Sequence, residues 1–487
     1  MLLGIDIGTT NTKVAVYSKR GKLLAQSKAL TPKGKSSDGL INFLPDKIWT
    51  TTARLIKQAV SEANIEIAAM AVSSFGEGGV SLDENFEPTY DVIPWYDEQR
   101  TVGQLESLSK KIDAKRFYSI TGLYPSAIHS IFKWLYLKEE KSKAWQRTKL
   151  WLSMADFIGY KLSGTAFMEA GQAARTMAYD VVRNEWSQDI LQAAGLSKNF
   201  LPPVVPATTP LGGITKEASK LTGLPEGTPV FVGGHDHFCA ALACGALSPE
   251  VGLVSFGTAE AFTVGWKTKP NPKKSLGFAV GPHVLENYSY VLGGIYVSGG
   301  VINWLKDLLN LNSFSTLVKL AAKVNPSESP LFIANFRGAA PPFNDPHAAG
   351  AFLEVKPEHT QAHFARAVME GIAFEHKASF PYFEKVTGQR MELIRMVGIH
   401  NPLWEEIRAA IFERTVETST HDDMVTMGVA LLAGLGARIY TSPQEAIAMT
   451  YKVKRTVKPD AKWQKAYHMS FEKYMNYREA LQKARES

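Results

Sequence analysis

The chain has 487 residues, 45% hydrophobic and 21% charged, with a net charge of +7. That balance excludes a disordered chain, and 38 glycines without a three-residue period exclude a collagen-like one. At roughly 100–200 residues per domain, the length implies about two to four domains.

No run of about 18 uninterrupted apolar residues occurs, so no membrane span is expected. The first residues, Met1 to Asp6, lack a basic region and read straight into a strand, so no secretory leader is expected. The only cysteines, Cys239 and Cys244, cannot build a disulfide framework and suit a reducing cytoplasm. Lysine and arginine are spread along the chain, which argues against a nucleic-acid partner and is compatible with a small anionic one such as ATP.

In chain order, residues 2–7 form an apolar run interrupted by Asp6. Gly8, Thr9, Thr10, Asn11, Thr12 and Lys13 follow as a polar loop, and strands are expected over 14–17 and 22–29. Residues 45–63 have helical spacing, with Ile48, Trp49, Ala53, Ile56 and Val60 inward. A strand over 67–73 runs into the glycine-rich segment around Glu77. The stretch 101–195 is helical in pattern, most clearly over 128–138 and 149–162. A strand over 229–233 leads into Gly234, His235, Asp236 and His237, then a small-residue helix over 238–246. The segment 252–260 echoes 4–11: each places a Gly-Thr turn after an apolar strand, with Gly8 and Gly257 249 residues apart. A chain of two similar halves is expected, 1–247 and 248–487. A strand over 393–398, helices over 402–413 and 426–440, and an amphipathic terminal helix over 462–483 complete the second half.

A Gly-Thr turn after a strand can hold phosphate, because glycine admits the anion close to backbone N–H groups and threonine hydroxyls donate. Asp6, just before the turn, can hold Mg²⁺ through water, and Lys13 adds positive charge. Neither a P-loop nor a Rossmann glycine fingerprint follows the first strand. Asp236, at a strand-to-helix junction, can accept a proton from a substrate hydroxyl or simply cap the helix. His235 and His237 flank it without an obvious third ligand for zinc. Glu77, Trp95, Asp97 and Arg100 suit a polyol, since an aromatic face stacks on C–H groups and carboxylates accept O–H; each also has a plain structural alternative.

Together these segments resemble the FGGY carbohydrate kinases. The resemblance runs nearly the whole length: residues 4–13, 95–100, 121–122, 233–236, 255–258, 299–304, 366–371, 401–404 and 427–433 follow the family's order. It implies an α/β fold of two actin-like (ribonuclease H-like) domains flanking a deep catalytic cleft. The N-terminal one would bind sugar and the C-terminal one nucleotide. Asp236 would be the general base and Asp6 would lie by Mg²⁺. Thr9, Thr10, Asn11 and Lys13 match the first phosphate loop, and Gly257 and Thr258 the second. Gly299, Asn303, Gly398 and Asn401 fall at or near nucleotide positions, and Glu77, Trp95, Asp236 and His237 on the substrate side. The implied reaction is ATP-dependent phosphorylation of a small sugar or polyol, such as xylulose or gluconate. The alternative is a catalytically weak sugar or nucleotide sensor, or an actin-like ATPase module. Homodimers are common among such kinases. Three departures stand out: Met396, Val397, Gly398, Ile399, His400 and Asn401 replace a glycine-rich loop, Arg337, Gly338, Ala339 and Ala340 stand where many members have Gly-Glu-Arg, and Glu77 stands where glycerol kinases carry glutamate but xylulose kinases histidine.

Overall fold

The computed structural model describes residues 1–36, 39–257 and 259–486. Two mixed β-sheets organise the chain. The first has six strands in the spatial order Pro210–Gly213, Pro229–His235, Ala69–Ser74, Leu2–Ile7, Asn11–Tyr17, Leu23–Leu30. The second has seven, in the order Ala279–Pro282, Ser289–Ile295, Glu260–Trp266, Val251–Phe256, Leu393–Gly398, Thr415–Ser419, Val453–Val457. In both, an antiparallel meander of three strands is extended by two strands parallel to the first. The second sheet therefore repeats the topology of the first, as the echoed Gly-Thr segments suggested. This repeat is the actin-like, ribonuclease H-like arrangement.

Local sequence explains most elements. The helix Pro45–Ala63 has proline in its first turn, which the missing N–H tolerates, and Asn64 ends it in the left-handed region. It buries Ile48, Trp49, Ala53 and Ile56 against the first sheet. The terminal helix Ala461–Glu486 buries Tyr467 and Tyr474 in the core of the second sheet, with Trp463, Phe471 and Leu481 partly covered.

The helix expected over 426–440 spans Met424–Gly436, and two segments change type to strand. Residues 150–153 are a strand, Leu150–Ser153, and the helix begins only at Met154. The apolar run Leu150-Trp151-Leu152 satisfies either period, and antiparallel pairing with Gly79–Leu82 selects the strand. Residues 11–13 belong to the strand Asn11–Tyr17 rather than to a loop, because Asn11 pairs with Leu30 and Lys13 with both Lys28 and Asp6.

Two helices join the halves. Met424–Gly436, from the second half, packs on the first sheet, and Gly4 makes room for it: a Cβ there would lie 2.0 Å from the Thr426 carbonyl oxygen. Asp236–Ala243 packs against Met424–Gly436 where Gly428 meets the Cys239 carbonyl, 1.8 Å from where a Cβ would stand. Phe238 on the former stacks on Tyr290 of the second sheet, centroids 3.9 Å apart. Cys239 and Cys244 are both buried and unbridged. No described helix is long and apolar enough to cross a membrane.

Candidate active site

The strands Leu2–Ile7, Ala69–Ser74 and Pro229–His235 run parallel, so their carboxyl ends share one edge of the first sheet. Ligands in open α/β sheets bind outside such ends. That edge brings together Asp6, the turn leading to Glu77, and Asp236.

Asp6 is buried opposite Ser73, whose hydroxyl donates to Oδ1 at 3.0 Å. Burial pushes its carboxyl up to about 8. Lys13 and the Ser73 hydrogen bond oppose that rise, while the charges of Asp423 and Asp236 reinforce it. Lys13 Nζ lies 3.0 Å from Asp423 Oδ2, at the N-cap of Met424–Gly436. Burial pulls Lys13 down, but Asp423 and Asp6 outweigh it and hold it above the ordinary lysine value. The turn between the first two strands is closed by the Gly8 N–H on the Asn11 carbonyl at 3.0 Å and by the Thr31 hydroxyl on the Gly8 carbonyl at 2.6 Å. Thr10 is exposed, and Thr9 and Asn11 half-buried.

Asp236 is the first residue of the helix Asp236–Ala243, and His235 is its N-cap. Aspartate there faces the positive end of the helix. His235 Nδ1 sits 2.9 Å from Asp236 Oδ1, and the His237 N–H donates to the same oxygen at 2.6 Å. Burial alone would raise the carboxyl; the two histidines and these contacts outweigh it and hold Asp236 well below the usual carboxylate range. His237 is itself pulled down by burial. His235 fills the space beside Gly76, where a Cβ would meet its ring at 2.5 Å.

Glu77 is buried, in the left-handed region at φ 61°. Its carboxylate pairs with Arg175, whose Nε donates to Oε1 at 2.6 Å. Its carbonyl accepts from Lys133 Nζ at 2.6 Å and from the Ser130 hydroxyl at 3.1 Å. Burial would raise the Glu77 carboxyl, but Arg175, His235, His129 and Lys133 bring it below the ordinary value. Burial pulls Lys133 down to about 7 against the pull of Glu77 and Asp97. Asp97 belongs to the 95–100 segment. Within it Trp95 is half-buried, and Arg100 bridges Asp97 at 2.5 Å and Asn42 at 2.6 Å. Arg175, Lys133, His129 and Asp423 escaped the sequence analysis. The only local signal for Arg175 is that it ends a helix otherwise made of small residues and glutamine, Ala170–Arg175.

In the second sheet, Val251–Phe256 and Leu393–Gly398 are parallel and pair Phe256 with Gly398. Their carboxyl ends carry Gly257 and the segment to Asn401. Gly398 has φ 100°, and a Cβ there would lie 2.1 Å from the Phe256 carbonyl oxygen, so this position requires glycine. Val397 and Ile399 have no positive φ, so the larger side chains are accommodated without backbone strain. The Gly299 N–H donates to the Gly257 carbonyl at 3.1 Å, which brings Gly299–Leu308 to the same edge. Asn303 is exposed on that helix. Asn401 caps Pro402–Phe412, its Oδ1 accepting from Leu403 N–H at 3.0 Å. Thr258 lies outside the described residues.

The FGGY family of carbohydrate kinases matches across both halves, its N-terminal domain over residues 1–243 and its C-terminal domain over 252–437. The chain belongs to that family. A xylulose kinase of Lactococcus lactis is 27% identical over 449 residues, covering 91% of this chain and 89% of its own. In fold, the chain is similar to a ligand-bound xylulose kinase and a gluconate kinase of Lactobacillus acidophilus. Each has a TM-score of 0.90 at 22% identity; coverage of this chain is 98% in both cases, and of theirs 98% and 97%. This FGGY protein is a carbohydrate kinase with two actin-like domains.

Proposed function

We propose that this kinase transfers the γ-phosphoryl group of ATP to a hydroxyl of a small sugar or polyol, in the class of pentuloses such as xylulose or related acids such as gluconate. Residues 1–247 would carry the sugar and 248–487 the nucleotide, in the cytoplasm, where two unbridged cysteines are at home. The observation that carries this reading is Asp236: a carboxylate held ionised, on the same sheet edge as Asp6 and Glu77. The hydroxyl oxygen attacks the γ-phosphorus, the bond to the ADP oxygen breaks, and the hydroxyl proton passes to Asp236. Thr9, Thr10, Asn11 and Lys13 would donate to phosphate from one side and Gly257 and Thr258 from the other. Gly299, Asn303, Gly398 and Asn401 would line the nucleotide.

No cluster of three or more His, Cys, Asp or Glu among the described residues could cage a metal. Asp6 lies buried in the field of Asp423 and Asp236, which make an ionised carboxylate costly there; a cation would offset that cost, so the site fits Mg²⁺, which keeps most of its water and phosphate oxygens. Bound there, Mg²⁺ would neutralise phosphate charge.

On the sugar side, Glu77, Trp95 and His237 would position hydroxyls. The Arg175 pairing compensates Glu77, which removes the repulsion that a bare carboxylate would offer a sugar acid. The experiment is ADP release from Mg-ATP across pentuloses, hexuloses, polyols and sugar acids. A strong response to one chemical class is expected. ATP binding with no response to any acceptor would favour the sensor reading instead.

A further inference from the structure

Glu260 opens the strand Glu260–Trp266, which follows the second Gly-Thr segment in sequence, and its side chain is fully buried. Three elements converge on it. Ser298, immediately before Gly299, donates from Oγ to Oε2 at 2.7 Å. Arg408, in the second turn of the helix capped by Asn401, donates from Nη2 to Oε2 at 2.8 Å and places Nη1 2.5 Å from Oε1. His376, in the middle of Gln361–Thr387, brings Nε2 within 3.1 Å of Oε1. The Arg408 guanidinium lies over Trp404 at 4.9 Å and Phe256 at 5.8 Å, the latter directly before Gly257.

Buried ion pairs contribute little net stability, because desolvation offsets attraction, and apolar side chains of equal volume commonly serve the fold as well. What an apolar cluster cannot supply is directed attachment. This one ties together the Gly257 turn, the start of Gly299–Leu308 and the helix behind Asn401, the elements expected at the nucleotide. We propose that Glu260 and Arg408 are positioning residues for nucleotide binding, holding these three backbone segments in register without touching the ligand. The proposal rests on the nucleotide assignment of this half.

The test compares the full-length wild type with Glu260→Leu/Arg408→Met, a double variant that removes both charges at similar volume. Mg-ATP affinity is measured by calorimetry, KM for ATP and for the responding sugar by ADP release, and Tm by thermal melting. The expected result is a wild-type Tm to within a few degrees, ATP affinity and KM worse by at least 10-fold, and sugar KM within 2-fold. ATP and sugar constants both within 2-fold of wild type would overturn the proposal. Should the double variant fail to fold, Glu260→Asp keeps the charge and shortens its reach. A selective rise in the ATP KM supports positioning, and unchanged or equally raised constants overturn it. A wild type that binds no ATP would instead remove the nucleotide assignment itself.

Discussion

At the scale of single residues, the side chains at the site are set by partners distant in sequence. Glu77 and Arg175 lie 98 residues apart, and Glu260 and Arg408 lie 148 apart. Glu77→Ala leaves Arg175 buried without its counter-charge, which costs about 3–5 kcal/mol. We expect a lower Tm and a sugar KM raised at least 10-fold, with the ATP KM changed much less. Equal effects on both constants would assign Glu77 to structure alone. Glu260 gives a pH signature. Burial would raise its carboxyl, but Arg408 and His376 outweigh that and bring it down to about 2. A carboxyl depressed on folding stabilises fully above its unfolded value, about 4.3, and loses that contribution as pH falls toward the folded value. Tm of Glu260→Gln should therefore lie below wild type at pH 6, and the gap should narrow between about pH 4 and pH 2. A gap independent of pH would contradict the ionised pairing. Such pairings have no local signature: Asp6, Asp236 and Glu77 could be picked out as candidates because each lies in or just after an apolar strand, whereas Arg175 and Asp423 could not.

At the scale of elements, helical spacing made Pro45–Ala63 legible to its terminal residues, and an apolar run entering a glycine-containing loop did the same for the strand Leu393–Gly398. The failure at 150–153 is instructive, since three adjacent apolar residues carry no period and only the pairing with Gly79–Leu82 decides. Helix contacts also rest on glycine. Gly428→Ala would place a methyl group against the Cys239 carbonyl, forcing Asp236–Ala243 and Met424–Gly436 apart. Overpacking of this kind costs about 1–3 kcal/mol. Because Asp236 opens one of these helices, we expect both a reduced Tm and a reduced kcat. A fall in Tm with wild-type kcat would show that Asp236 is held by His235 and the sheet rather than by the helix contact.

At the scale of the molecule, the duplication was legible in one echo 249 residues apart, because each half repeats the same strand-turn-strand opening. The crossing of Met424–Gly436 onto the first sheet was not, since its small residues fit any close-packed neighbour. This helix, Asp236–Ala243 and the Lys13–Asp423 pair link the two sheets at the candidate site. Domain closure on ligands is a common way to exclude water. We expect sugar and nucleotide together to reduce the radius of gyration in solution scattering, and an unchanged value would argue for a site formed without closure.

The role of Asp236 as proton acceptor in phosphoryl transfer is tested most directly by sugar-dependent ADP release in Asp236→Ala beside the wild type, with Tm and ATP binding measured on the same samples. The expected result is a loss of at least 10³-fold in kcat with fold and ATP binding retained, in line with the effect of removing a general base. Near-wild-type turnover in that variant would contradict it.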